Sequence, residues 1–183
     1  MDVLLDLIVT AASIAALAQY SWSMRGHFSS DGMPRGAKLL SLVVLACALL
    51  LLTITWLLPQ PAWAQILGIV LQLSSFLLFW TAIRASRQAR LRLAFDPGNP
   101  RTFVSDGPYR YVRHPFYVSY VIFWGGWALA GWSIWAVFPF LVMTAVYVGA
   151  ARDEERKFGL TDMGADYAAY RARTGFFFPR LGS

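Results

Sequence analysis

Charged residues make up only 14% of this 183-residue chain, against the roughly 25% with which a water-soluble domain coats its surface. Cysteine occurs once, at Cys47 inside an apolar run, which excludes an intrachain disulfide and a multi-cysteine metal site. No repeat period or low-complexity tract is visible, and the composition excludes collagen-like and intrinsically disordered chains. What abounds is apolar: 57% of residues are hydrophobic, with eight Trp, eight Tyr and thirteen Phe, an aromatic load typical of membrane–water boundaries. The net charge of +6 raises nucleic acid as a partner, but the placement of the charges points to a membrane. The chain reads as an all-α integral membrane protein with one domain over residues 1–183.

Uncharged or nearly uncharged stretches place the spans at about 3–22, 39–58 and 62–83, the second and third separated by Pro59-Gln60-Pro61. From Phe116 to Ala150 no residue is charged. As one helix this stretch would reach roughly 52 Å, too long for a hydrocarbon core of about 30 Å even with tilt. Two short helices, 116–131 and 133–150, joined near Gly131-Trp132-Ser133, fit better and make five spans with a C-terminal helical hairpin. All sixteen Lys and Arg fall before the second span, between the third span and the hairpin, or after it. With the hairpin these segments share one side, and the positive-inside rule makes that side cytoplasmic. The N-terminus is then outside, and the cytoplasmic segments are 84–115 and 151–183. The first span carries Asp2 and Asp6 rather than a basic n-region, so it is expected to be retained, not cleaved as a signal peptide. The basic excess then serves orientation and attraction to anionic lipid, with no nucleic-acid role.

The polar, information-rich sequence lies in the two segments flanking the hairpin. In Arg113-His114-Pro115 the proline favours a helix start and pushes the preceding residue out of helical geometry, so His114 is expected at an N-cap with its side chain facing the cytoplasm. A helix N-terminus attracts anions; an ordinary helix start with interfacial anchors has the same pattern. Asp106-Gly107-Pro108-Tyr109 reads as a turn, followed by Tyr111, Phe116 and Tyr117, aromatics suited either to a purine or sulfonium wall or to an interfacial belt. After the last span, Tyr147, Glu154 and Phe158 share a helix face. A carboxylate there is suited to a cofactor hydroxyl or amine, and equally to pairing with Arg152 or Lys157 at a solvated helix end. Tyr167 to Arg171 suggests a short amphipathic helix, and Phe176-Phe177-Phe178-Pro179 an interfacial dip. His27 is assigned no role, and no metal site is proposed.

Taken in order, these elements resemble the isoprenylcysteine carboxyl methyltransferase family of membrane enzymes. That family carries an RHPxYxG element before a final helical hairpin, then an EE pair, then an FGxxYxxY stretch near a proline. Here they read Arg113-His114-Pro115-Phe116-Tyr117-Val118-Ser119, Glu154-Glu155 and Met163-Gly164-Ala165-Asp166-Tyr167-Ala168-Ala169-Tyr170. Ser119 stands where the family has glycine, and the family's substrate-facing arginine falls on Ala150, with Arg152 the nearest replacement. The resemblance implies S-adenosyl-L-methionine held by the hairpin and its flanking segments, with contacts from Arg101, Thr102, Phe103, Val104, Tyr109, His114, Pro115, Phe116, Tyr117 and Glu154.

It also implies methyl transfer to a lipid-like or prenylated small molecule in the bilayer, foremost an isoprenylcysteine-like carboxylate, with no obligate protein partner evident. A carboxylate acceptor is already ionised, its reference pKa being about 3.5, and needs only a cation such as Arg152 to orient it. A phospholipid amine or a small thiol must lose a proton, which makes His114 or Glu154 the candidate base. The rival readings are an NADPH-dependent membrane reductase resembling the steroid-reductase group, and a non-catalytic membrane adaptor.

Overall fold

The computed structural model describes residues 2–26, 35–87, 104–161 and 163–180. Among these residues six helices follow in order: α1 (Val3–Gly26), α2 (Arg35–Leu57), α3 (Ala62–Arg87), α4 (Pro115–Gly131), α5 (Ile134–Gly159) and α6 (Gly164–Arg173), with a 3-10 turn at Gly107–Arg110 before α4. No strand occurs among the described residues; one isolated parallel bridge joins Val112 and Gly175.

Four helices, α1, α2, α3 and α5, are long and apolar enough to cross a membrane. Their outward faces carry leucine, isoleucine, valine and phenylalanine: Leu4, Leu42, Leu49, Leu73, Leu77 and Phe138 are all exposed. In water such a surface would drive aggregation; in lipid it is the expected exterior. α4 has 17 residues and is about 25 Å long, short of a hydrocarbon core of about 30 Å.

The expected break in the uncharged stretch is present. α4 ends at Gly131, Trp132 takes the left-handed conformation with φ 38°, and the Ser133 side chain caps α5 by accepting from the Trp135 N–H at 3.3 Å. α5 does not stop at residue 150. It runs on to Gly159 and carries Asp153 to Lys157 within its last turns. At 26 residues it is about 39 Å long, so its charged end clears the hydrocarbon without breaking the helix.

α3 is the hub. Its contact with α4 is the most extensive in the bundle, and two glycines set its closeness. A Cβ added to Gly68 would lie 2.5 Å from the Gly126 carbonyl oxygen, and one added to Gly126 would lie 2.8 Å from that of Gly68. Small residues at such crossings let helices approach where lipid gives no hydrophobic drive for association.

Against α1, α3 is stitched by side-chain hydrogen bonds. Gln65 Nε2 donates to Asp6 Oδ1 at 2.6 Å, and Gln72 Nε2 donates to Ser13 Oγ at 2.9 Å. One step further, Tyr20 Oη lies 2.7 Å from Ser75 Oγ, which itself donates to the Ser119 carbonyl at 2.7 Å. Because Ser75 spends its one proton on Ser119, the Tyr20 hydroxyl is the donor to Ser75. Residues 6, 13 and 20 recur every seventh position and meet successive residues of α3, so the two helices run parallel. Beside this seam Tyr20, Phe79, Phe123, Trp124 and Trp127 form the aromatic core.

Candidate functional site

The site is built where the approach to α4, the end of α5 and the tail after α6 converge. Backbone pairing brings the tail in: the Arg113 N–H donates to the Gly175 carbonyl at 2.8 Å, and the Gly175 N–H donates to the Tyr111 carbonyl at 3.1 Å. Gly175 is required there, since a Cβ would fall 1.6 Å from the Phe178 carbonyl oxygen. Next to this pairing, His114 has φ −126° and ψ 58°, outside helical geometry, and Pro115 opens α4. The positions of proline and N-cap agree with the sequence.

The His114 ring does not face solvent, contrary to expectation. It is 5% exposed and packs among Tyr117, Phe176 and Phe177, with ring centroids 5.7, 5.1 and 6.2 Å away. A carboxylate draws it inward: Glu155 Oε1 lies 3.1 Å from His114 Nε2 and 2.6 Å from Arg113 Nε. Arg171 Nε reaches the other carboxylate oxygen at 3.4 Å. Arg113 also donates to the carbonyls of Thr174 and Arg171, and its guanidinium carbon sits 5.6 Å from the Phe176 ring centroid. Glu155 is thus a knot tying α4, α5 and α6 together.

Glu154 is placed differently. Its side chain is 30% exposed, against 9% for Glu155. The Tyr117 phenol lies near it. Its Oε2 lies 3.9 Å from His114 Nδ1, too far for a hydrogen bond. Glu155, clamped by arginine, is an acceptor, so His114 Nε2 donates to it. That leaves His114 Nδ1 and the Glu154 carboxylate facing each other across a gap.

The other expected contacts gather nearby. Tyr109 is buried with Val104 and Ala82, with Phe116 packed against them. The Tyr109 and Phe116 rings meet edge to face at 6.5 Å. The Tyr170 hydroxyl donates to the Tyr109 carbonyl at 2.7 Å, fixing that turn to α6. Burial pushes the Tyr109 hydroxyl well up, with the Glu154 charge adding to it. Burial likewise raises Tyr167, and lifts Tyr170 to about 12. These phenols stay protonated at neutral pH and serve as donors and walls, not as bases.

Val104, Tyr109, His114, Pro115, Phe116, Tyr117 and Glu154 therefore lie in one connected neighbourhood. Arg152 is exposed on α5, beside the buried Ala151 rather than on the face that carries it and Glu155. Arg101, Thr102, Phe103 and His27 lie outside the described residues. Tyr111 is exposed, and so is Phe178, whereas Phe176 and Phe177 turn in against the histidine. The solvated ion pair expected after the last span exists as Asp153 with Arg156 at 3.3 Å, not with Glu154. Sequence reasoning passed over Arg113, Glu155, Arg171 and Gly175 as site residues. The first two stand beside His114 and Glu154 in the very motifs already quoted, which is the signal that was there to use.

Fold and site together define an integral membrane protein of helices whose buried polar site sits at one end of the bundle, where the terminal hairpin opens. The chain belongs to the phospholipid methyltransferase family, whose model matches residues 63–160, more than half of the 183. The matched stretch runs from the start of α3 to the end of α5 and contains both the His114 and the Glu154-Glu155 elements. At the level of a membrane methyltransferase family this agrees with the resemblance drawn from sequence. Comparison with curated proteins and with solved structures gives no match.

Proposed function

We propose that this protein is an S-adenosylmethionine-dependent methyltransferase acting on an acceptor that partitions into the bilayer. The observation that carries the reading is the meeting of His114 and Glu154, forty residues apart in sequence, across 3.9 Å at the mouth of the hairpin. In this reading residues 1–183 form one domain, α4 is a fifth, short span, and the site faces the cytoplasm with the N-terminus outside, as the distribution of arginine and lysine supports.

The donor fits the residues present. Its sulfonium is a cation and its adenine a flat aromatic ring; Tyr109, Phe116 and Tyr117 offer π-faces, and the part-exposed Glu154 offers carboxylate oxygens as acceptors. When bound, S-adenosylmethionine supplies a methyl group activated by positive sulfur. The chain's own part is alignment of an in-line displacement and handling of the acceptor's proton. Tyr117 lies beside the Glu154 carboxylate, Glu155 and Arg113 hold the His114 ring, and the burial of His114 among aromatics excludes water from that side.

For the acceptor, the geometry favours an amine over a carboxylate. A histidine and a carboxylate facing each other, at Nδ1 and Oε2, suit a nitrogen that must give up hydrogen before it attacks. An isoprenylcysteine-like carboxylate would need a cation, and Arg152 points out of the cluster. A phospholipid amine, consistent with the family's description, is therefore the first acceptor to test, with small thiols and prenylcysteines after it.

Thermal unfolding of the purified protein in detergent, with S-adenosylhomocysteine or NADPH added, separates the classes, because a ligand that prefers the folded state raises the midpoint. Stabilisation by S-adenosylhomocysteine alone is expected. Stabilisation by NADPH, or by neither, overturns the reading. Radiolabelled methyl transfer to phosphatidylethanolamine, prenylcysteine analogues and hydrophobic thiols then identifies the acceptor.

A further inference from the structure

Outside the His114–Glu154 gap, on the far side of Arg113, lies an open cleft of about 430 Å³ lined by Arg113, Ala168, Arg171, Ala172, Thr174 and Arg180. Three of these six residues are arginines and none is acidic. Among the described residues Glu155 is the one carboxylate that reaches Arg113 and Arg171, and Arg180 donates to the Ala172 carbonyl. Three guanidiniums thus meet a single described carboxylate.

The helix end does not supply the missing charge. The carbonyls of Arg171, Ala172 and Thr174 at the close of α6 are already engaged by Arg113 and Arg180, which discharges the negative pole of that helix. Each guanidinium has five N–H donors. Arg171, half exposed, uses one of them, and the alanine floor leaves room above it. Planar forks of this kind match the oxygens of a phosphate.

We propose that this cleft binds the phosphate of an anionic phospholipid headgroup, independently of the methyl-transfer site. Two features favour lipid over free phosphate. The tail that brings Arg180 to the cleft also carries Phe178, 84% exposed, in a protein whose helices present an apolar exterior. Basic residues at that level meet the anionic face of a bilayer. Among the described residues the lining holds no carboxylate to partner an ammonium, so a net-negative headgroup is preferred to a zwitterionic one.

The test is calorimetric titration of the full-length protein in detergent micelles with dihexanoylphosphatidylglycerol, dihexanoylphosphatidylcholine and inorganic phosphate. Phosphatidylglycerol is expected to bind at least tenfold more tightly than the other two. The Arg171→Gln/Arg180→Gln double variant is expected to lose that affinity at least tenfold. Arg180→Gln alone, which touches no carboxylate, guards against misfolding and should lose part of it. S-Adenosylhomocysteine affinity should stay within about twofold in Arg180→Gln. Equal or tighter binding of inorganic phosphate would make this a free-anion site and overturn the lipid assignment. Lipid binding unchanged in both variants would overturn it too, as would a tenfold loss of S-adenosylhomocysteine affinity in Arg180→Gln, which would give the cleft to the methyl donor. Because the methyl-donor titration is read separately, failure here leaves the enzymatic reading standing, and the reverse holds as well.

Discussion

Two polar regions are buried in this molecule, and they are built in opposite ways. Between α1 and α3 the Gln65, Gln72 and Ser75 side chains are each matched to one partner on the facing helix. Where α4, α5 and α6 meet, two arginines and a histidine converge on one carboxylate. The seam holds helices together in a medium where hydrophobic attraction between them is absent. The knot fixes side chains, at the cost of desolvating charges. In the seam the unspent acceptors, Asp6 Oδ2, Gln65 Oε1 and Gln72 Oε1, are sealed between helices, whereas Glu154 beside the knot is part-exposed, and that separates a region made for packing from one made for binding.

Substitutions at the two regions should differ in size and in kind. The largest effect is expected from Glu155→Gln, which strands Arg113 without its counter-charge and loosens His114 from its partner, and should cost about 3 kcal/mol. It is read as a lowered thermal midpoint in micelles; a midpoint unchanged from wild type would mean that the knot behaves as a surface ion pair. Gly175→Ala drives a methyl group into the Phe178 carbonyl and should cost about 2 kcal/mol, appearing as faster limited proteolysis of the tail after Thr174. Glu154→Gln should leave the midpoint near wild type while weakening S-adenosylhomocysteine at least tenfold, about 1.4 kcal/mol, by titration. An unaltered affinity would remove Glu154 from the proposed site. The smallest effect belongs to the seam: Gln72→Leu gives up one neutral bond, worth about 0.6 kcal/mol, and a double-mutant cycle with Ser13→Ala measures it. A coupling there as large as that of the knot would erase the distinction.

The hairpin was legible in the sequence because an uncharged stretch from Phe116 to Ala150 overshoots any bilayer. The far end of α5 was not. Asp153 to Lys157 mark where hydrocarbon ends, and nothing in them says that the backbone must stop being helical there. In the site, Pro115 announced the helix start and the motif words pointed to His114, Tyr117 and Glu154. Sequence could not give the direction of the His114 ring, because that depends on a carboxylate 41 residues away. Nor could it give Gly175 its reason, a steric conflict with a carbonyl three residues on that exists only once the tail has turned. The roles of the neighbouring glutamates show the limit most plainly: successive residues on a helix point about 100° apart, and only the packed structure says which one is enclosed.

The stitching of α1 to α3 has a practical consequence. The family-matched stretch begins at residue 63, after both N-terminal helices, and looks like a natural unit to express or to graft onto another scaffold. Cut there, it would turn two glutamine amides toward acyl chains, with no water at that depth to receive them. For this chain the opening helix acts as a built-in escort for the helices that carry the chemistry, and any minimal version would have to bring it along or recode the exposed face in leucine.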